Sequence, residues 1–464
     1  MITVLTHAPY LIVIAVAGSL LLESMIYLSA VYEIYRGRAR NHHQLWRRVL
    51  GSRLAPRVTV LMPSFNEEVW ITDSVARTLA LRYPDIEVIV INDGSTDSTM
   101  EKLIETFDLV DVLPIYQKRI DTVHVRSIKR SRSNPNLYVV DKDNGGKADS
   151  LNVGINVASG ELICAIDADT IVSSNALQEL VAPFLAQPDV VAVGGTVRLV
   201  DARVPDDESN LDIAPTAWML GSQTVEYIRA FLVGRLGWNP LGGAIVISGA
   251  FGLFDREAMV EIGGYNRDSI GEDMELVVRL RRYAYERGEF ARVVFAPNPV
   301  AWTEAPASMK TLARQRNRWF RGLLDVLNRH RGMLFRKKYG TAGGISLPYF
   351  LFVEAIGPTI ELIGVVLTVI ALLTGVIGFG SLQLVVVIYC FGLLRTVGML
   401  SISDGFFGTH SGLRSRLRLL GFALFEAFFM HNATLVWRAW GLWAYVRGDH
   451  TWGVQERKGM ASSA

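Results

Sequence analysis

The chain of 464 residues is short of cysteine, holding two. Cys164 falls in an expected cytosolic strand and Cys390 in an apolar run, so no disulfide is expected. It has little excess charge of either sign: 47 Lys and Arg stand against 45 Asp and Glu, a net charge of +2. That balance gives no support to a nucleic-acid binder, which carries a basic footprint. Internal repeats and low-complexity tracts are missing too, and the length suits one large or two modest domains. Apolar residues, in contrast, are plentiful: half the chain is hydrophobic. The mean hydropathy of +0.26 is high for a soluble protein.

The apolar residues are clustered. Tyr10 to Tyr32 is long enough to span a bilayer and reads as an anchor, having no short apolar core with a small-residue cleavage site. Further spans are expected over about Ile360–Ile377, Leu382–Leu400 and Leu419–Tyr445, with an interfacial helix at Leu347–Ile356 punctuated by Pro348 and Pro358. Basic clusters orient the spans. Arg36, Arg38, Arg40, Arg47 and Arg48 follow the first, Arg336, Lys337 and Lys338 precede the second, and Arg414, Arg416 and Arg418 follow the third. All are cytosolic if the N-terminus lies outside. Arg447, Arg457 and Lys458 resist this scheme, because four spans would put the tail outside. The expected division is an N-terminal transmembrane helix (1–35), a basic cytosolic linker (36–56), an α/β domain (57–330), an interfacial segment (331–357), a transmembrane region of about three helices (358–446) and a tail (447–464).

Between 57 and 330 apolar strands alternate with amphipathic helices. Strands are expected at 58–62, 86–93, 137–141 and 161–167, with helices ending near Leu81 and beginning at Asp97, Lys147 and Glu272. This alternation implies a mostly parallel sheet covered by helices. Ligands of such sheets bind beyond the carboxyl ends of the strands, so the polar residues there matter most. The segment 108–136, basic in its second half, matches no function.

The first two strands end in "PSFNEE" (63–68) and "NDGSTD" (92–97). Turn chemistry with a helix cap at Asp97 accounts for the second alone; two such turns at neighbouring strand ends favour a nucleoside pocket. "DNGGKADSLN" (143–152) opens a helix with two glycines and a lysine, donors that suit a phosphate. In "AIDADT" (165–170), Asp167 and Asp169 sit two apart after a strand and would project to one side of extended backbone. Paired carboxylates suit Mg²⁺ or Mn²⁺ shared with substrate phosphates; the plainer reading is a solvated turn. Glu272 and Asp273 begin a helix, where acids offset the macrodipole or serve as a general base. "RQRNRWFRG" (314–322) puts Arg314, Arg318 and Arg321 in one helical stripe, with Gln315, Arg318 and Trp319 on an adjoining face. Arginine grips a pyrophosphate in bidentate fashion, and tryptophan gives a sugar ring an apolar plane. An interfacial anchor would also use Arg and Trp.

Taken in order, these motifs resemble the membrane-embedded, processive branch of the family-2 glycosyltransferases, the branch of cellulose, hyaluronan and poly-N-acetylglucosamine synthases. The resemblance covers about 57–330. It implies a nucleotide-sugar-binding, Rossmann-like domain of glycosyltransferase A type with transmembrane helices. Position by position, it implies a uridine pocket from Pro63, Asn66, Glu67 and Asp93, with Asp93 touching the base and Lys147 near the diphosphate. Asp167 and Asp169 would hold the nucleotide and Mg²⁺ or Mn²⁺. "SGAFGLF" (248–254) would line the acceptor side. Asp273 would be the catalytic base, and Gln315, Arg318 and Trp319 would close the donor site. Gly271 stands where cellulose synthases usually have Thr.

The activity so implied is inverting, metal-dependent transfer from a UDP-sugar (UDP-N-acetylglucosamine or UDP-glucose) to a growing β-linked polysaccharide, with export of the polymer. Expected partners are the UDP-sugar donor, the polysaccharide acceptor, the lipid bilayer and accessory membrane or export subunits, with no nucleic acid. The expected place is the inner cell membrane, multi-pass, with the catalytic domain cytosolic. A non-processive enzyme acting on a lipid and a non-catalytic nucleotide-sugar receptor are the alternatives. The receptor predicts lost catalytic residues, yet all are present. Glu426, His431, Asn432 and Arg438 in the last span favour the polymer reading if they face a cavity.

Overall fold

The structure, a computed structural model, describes residues 2–39, 49–50, 52, 54–200, 215–306, 308–375, 379–407 and 413–448. Arg40, Arg47 and Arg48 of the linker and Arg457 and Lys458 of the tail lie outside the described residues.

The first half of the catalytic domain is built as strand, turn, helix. Helix α1 (Ile2–Ala39) precedes β1 (Val58–Ser64), α2 (Ile71–Leu79), β2 (Ile86–Asn92) and α3 (Thr99–Phe107). β3 (Leu109–Val112), β4 (Val125–Ser131) and β5 (Leu137–Lys142) follow, then α4 (Lys147–Val157) and β6 (Leu162–Ile166). The second half comprises β7 (Ile171–Val172), α5 (Ala176–Ala186), β8 (Val190–Val200), α6 (Trp218–Ile228), β9 (Phe251–Asp255) and α7 (Arg256–Glu261). It ends with α8 (Glu272–Glu286), β10 (Arg292–Glu304) and α9 (Met309–Arg329).

The ten strands form one mixed sheet in the order β3-β4-β5-β2-β1-β6-β9-β8-β10-β7. Its centre, β5-β2-β1-β6, is parallel as the alternation implied. β9 runs antiparallel between β6 and β8, and β8 pairs in parallel with β10. The segment of unassigned role, 108–136, supplies the antiparallel edge of β3 and β4. Both faces are covered, which is why the central strands read as unbroken apolar runs. Val58, Val60, Met62, Val88 and Val90 pack on one face. Leu61, Ile89, Ile91, Leu151 and Ile163 pack on the other.

Among the described residues three helices are long and apolar enough to cross a membrane: α10 (Ala342–Leu373), the Val386–Asp404 part of α11 (Phe379–Phe407), and α12 (Leu413–Val446). α1 packs along α10. The expected interfacial helix is not separate. It is continuous with α10, because wide π turns at Ala342–Ser346 and Phe350–Ile356 carry the helix past Pro348 and Pro358.

Candidate active site

The loops after β1 and β2 are stitched together. The Asp93 amide donates to the Ser64 carbonyl at 2.9 Å. Asn66, with φ of 56°, accepts from the Thr96 amide at 2.8 Å, and its own amide donates to Ser95 Oγ at 3.0 Å. The Glu67 amide donates to Thr99 Oγ1 at 2.9 Å. Asp97 does not cap by the usual route. Its Oδ1 accepts from the Thr99 amide, while Oδ2 reaches back to the Glu68 amide. Asn66 and Glu67 thus lie at one rim, with Pro63 behind them in β1.

Asp93, expected to touch the base, also organises the start of α4. It is buried, and its Oδ1 accepts from Lys142 and from the Gly145 amide at 2.9 Å. Its Oδ2 accepts from the Gly146 amide at 2.8 Å. The two glycine amides expected to cradle a phosphate are therefore already donated to a carboxylate. The anion in the mouth of α4 is Asp93 itself. Fully buried Lys142 also bridges to Asp149 at 3.1 Å, and Asp149 pairs with Arg267 at 3.1 Å. Paired buried charges of this kind keep one geometry, since removing a single partner strands a charge. Gly146, at φ 85°, supplies the backbone turn that aims Lys147 outward.

Lys147 reaches the carboxylates after β6. Its Nζ is 2.5 Å from Asp167 Oδ1 and 3.1 Å from the Gly249 carbonyl. Burial pushes the Lys147 ammonium down, but Asp167, Glu272 and Asp273 outweigh that and leave it raised. The expected strand geometry for Asp167 and Asp169 is corrected here. β6 ends at Ile166, and the two acids lie in a turn closed by the Thr170 amide on the Asp167 carbonyl at 2.9 Å. A turn, not pleating, sets them together. No group of three or more His, Cys, Asp and Glu among the described residues is arranged to hold a metal unaided. Two hard carboxylates beside a cleft do fit Mg²⁺ or Mn²⁺, which commonly take one or two carboxylates and complete their shell with water and substrate phosphate.

Gly249 joins Lys147 to Asp273. Its carbonyl accepts from Lys147, and its amide donates to Asp273 Oδ2 at 3.0 Å. Asp273 Oδ1 accepts from the Met274 amide at 2.7 Å. A hydrogen-bonded line thus runs Asp167–Lys147–Gly249–Asp273 and links four of the sequence motifs. Next to it, Glu272 is buried and pushed up to about 7, first by burial and then by Asp273, with Lys147 and Arg318 opposing.

The arginines of α9 do not act as one stripe. Arg314 is exposed and Arg318 half-buried, its charge reaching Glu272. Arg321 is buried, donating to Asn317 at 2.9 Å. Arg316, overlooked in the sequence, is buried. It donates to Gln315 at 2.9 Å and to Glu226 of α6 at 2.7 Å, and its guanidinium lies 4.3 Å from the Trp319 ring centre. Trp319 stays 45% exposed, enough surface to receive a ligand, with Tyr227 at 6.4 Å. Gly271 also gains a reason. A side chain there would meet the Gly322 backbone at 3.2 Å, and one on Gly322 would meet Gly271 Cα at 3.1 Å. The base loop and α9 touch backbone to backbone.

In the last span three of the four polar residues find partners on other helices, and Asn432 bonds within its own. Glu426 holds Arg229 in bidentate fashion at 2.7 and 3.1 Å, His431 meets Glu361 at 2.8 Å, and Arg438 meets Glu354 at 3.4 Å. Asn432 donates to the Phe428 carbonyl at 2.8 Å.

Residues 56–322, more than half of the sequence, match the family described as "Glycosyltransferase like family 2". The chain belongs to glycosyltransferase family 2. Among curated relatives, a poly-beta-1,6-N-acetyl-D-glucosamine synthase of Staphylococcus aureus (strain COL) is 32% identical over 275 residues, 59% of this chain and 56% of the relative. One from Staphylococcus epidermidis is 30% identical over 276 residues, with the same coverage. The match thus spans little more than half the length of these relatives. A solved mannosyltransferase, PcManGT from Pyrobaculum calidifontis in complex with GDP-Man and Mn2+, aligns with a TM-score of 0.49 at 17% identity over 89% of this chain and 99% of that one. That likeness is too distant to carry an inference.

Proposed function

We propose that this family-2 member is a membrane-bound, inverting glycosyltransferase. It moves sugar from a UDP-sugar, UDP-N-acetylglucosamine or UDP-glucose, to a growing β-linked polysaccharide and helps export it. The observation that supports this best is the continuous line Asp167–Lys147–Gly249–Asp273, which ties a diphosphate-side carboxylate to a candidate base. The relatives' activity toward N-acetylglucosamine polymer favours that sugar. α1 joins the three apolar helices as a fourth span, and the catalytic domain faces the cytosol of a cell with its chain in the inner membrane. Accessory membrane or export subunits complete the apparatus.

In this reading the rim formed by Pro63, Asn66 and Glu67 receives uridine, and Asp93 shapes the pocket. Asp273 takes the proton from the acceptor hydroxyl. The hydroxyl oxygen attacks the anomeric carbon from the face opposite UDP. The new carbon–oxygen bond forms as the bond to phosphate breaks, so an α-linked donor gives a β-linked product. Lys147 and Arg318 turn positive charge toward the departing diphosphate, Gln315 steadies Arg316, and Trp319 carries the acceptor ring. Asp167 and Asp169 would hold Mg²⁺ or Mn²⁺, which when bound supplies further charge stabilisation to the leaving group.

The test is purified protein in lipid vesicles supplied with a panel of UDP-sugars, reading UDP release and product length. A β-linked polymer from one donor is the expected result. Single sugars added to a lipid would replace it with the lipid-acceptor reading, and no UDP release from any donor would leave a nucleotide-sugar receptor.

A further inference from the structure

Arg235 has no counterpart among the motifs read from the sequence. It follows the π turn Arg229–Val233 that extends α6. Its guanidinium stacks 3.8 Å from the centre of the Phe231 ring. Phe231 stacks on Tyr227 at 5.6 Å, and Tyr227 meets Trp319 at 6.4 Å. A chain of ring contacts therefore runs from exposed Trp319 through buried Tyr227 and Phe231 to Arg235. The Arg235 Nη1 atom is buried and makes no hydrogen bond among the described residues. Burial pushes the guanidinium down to about 10, with Asp273 and then Tyr227 pulling the other way. At neutral pH it is still charged, and it is close enough to Asp273 for the two charges to interact.

A buried guanidinium N–H without an acceptor is costly, because charged donors lose strong hydration when desolvated. Proteins keep such a group where something supplies the missing oxygen. At the far end of these ring contacts Trp319 keeps an exposed face for a sugar ring, and the candidate base Asp273 lies within reach of the Arg235 charge. Resting on the glycosyltransferase reading above, we propose that Arg235 is an acceptor-positioning residue. Its Nη1–H donates to an oxygen of the acceptor sugar seated on Trp319 and holds that sugar's reacting hydroxyl against Asp273. The ligand class is a neutral, oxygen-rich saccharide, and the contact belongs to the acceptor, not the nucleotide. Arg235 makes no proton transfer; it acts by placement.

The experiment compares wild type with Arg235→Met and Arg235→Lys in vesicles, using UDP-N-acetylglucosamine as donor and a short N-acetylglucosamine oligomer as acceptor. A charge-assisted hydrogen bond predicts that Arg235→Met raises the acceptor KM by about tenfold or more. The donor KM should stay within about twofold, and Arg235→Lys should recover part of the loss because it keeps a cationic donor. Acceptor KM values equal to wild type in both variants overturn the proposal. So does an equal rise in donor and acceptor KM, which marks a purely structural role. Wild-type transfer in the same vesicles separates the two ideas: if wild type fails with every UDP-sugar, the glycosyltransferase reading itself falls.

Discussion

The two sides of the cleft are held together in different ways. The proposed donor side is made of loops at the ends of β1, β2 and β6 and the start of α4. Its bonds join neighbouring strand ends, such as Asn66 to Thr96 and Asp93 to Gly145 and Gly146. The proposed acceptor side is made where helices cross. Arg316 of α9 grips Glu226 of α6, Gly322 lies against Gly271, and Arg229 ties the extension of α6 to Glu426 in α12. A sheet fixes the first set through strand register. The second set depends on packing between elements far apart in sequence, so under the proposed function small shifts there should act on catalysis without disturbing nucleotide binding.

The largest expected effects fall where both sides meet the reacting bond. Chelation with EDTA should abolish transfer, and Mg²⁺ or Mn²⁺ should restore it, if Asp167 and Asp169 hold an ion. Full turnover in EDTA removes the metal from this mechanism. Asp273→Asn comes next. It keeps the shape that the Gly249 and Met274 amides recognise but takes up no proton, so transfer should fall by about 10² or more while UDP binding persists. Near-normal turnover would move the base elsewhere, with Glu272 the next candidate.

The same contrast explains what the sequence made legible. Strand-turn-helix patterns are local, so β1, β2, β5 and β6 could be read directly, whereas the meeting of Lys147 with Asp167 needed the fold. The turn that holds Asp167 and Asp169 was misread as extended strand because an i, i+2 spacing suits both conformations. The partners of Asp93 were hidden for a related reason. A carboxylate at a strand end looks open in sequence, and only the fold brings Lys142 and two glycine amides to it. β8, β9 and β10 carry no turn motif of their own, and the roles of Arg316, Glu226 and Arg235 exist only through contacts across 80 or more residues or through burial. The short spacing Gln315-x-x-Arg318-Trp319 was visible, whereas the reason for Gly271 was not.

A substitution at the helix crossing sharpens the comparison. A methyl group on Gly322 would sit 3.1 Å from Gly271 Cα, and that neighbour is backbone. Either α9 or the loop before Asp273 must shift by a few tenths of an ångström. Gly322→Ala should therefore lower kcat by about tenfold, since misplacement near the reacting atoms is expensive. UDP affinity, set on the donor side, should hold. Equal loss of UDP affinity and turnover would mean that the two sides move as one body.

The smallest effect is in pH dependence, and it isolates Glu272. Its carboxyl is pushed up to about 7 by burial and by Asp273, from an ordinary value of 4.5. Between those two values the folded chain keeps a proton on Glu272 that the unfolded chain has released. Stability therefore declines as pH rises through this window: the contribution is fully present below about 4.5 and is lost as pH passes about 7. Glu272→Gln keeps the buried shape and cannot ionise. Its thermal midpoint in detergent should be less dependent on pH between 5.5 and 8 than that of wild type, the two curves separating by on the order of a few degrees. Parallel curves would mean that Glu272 is charged throughout, matched by Lys147 and Arg318. The pair Glu272 and Asp273 would then divide their work by geometry alone: Asp273 half-exposed to the cleft, Glu272 buried behind it.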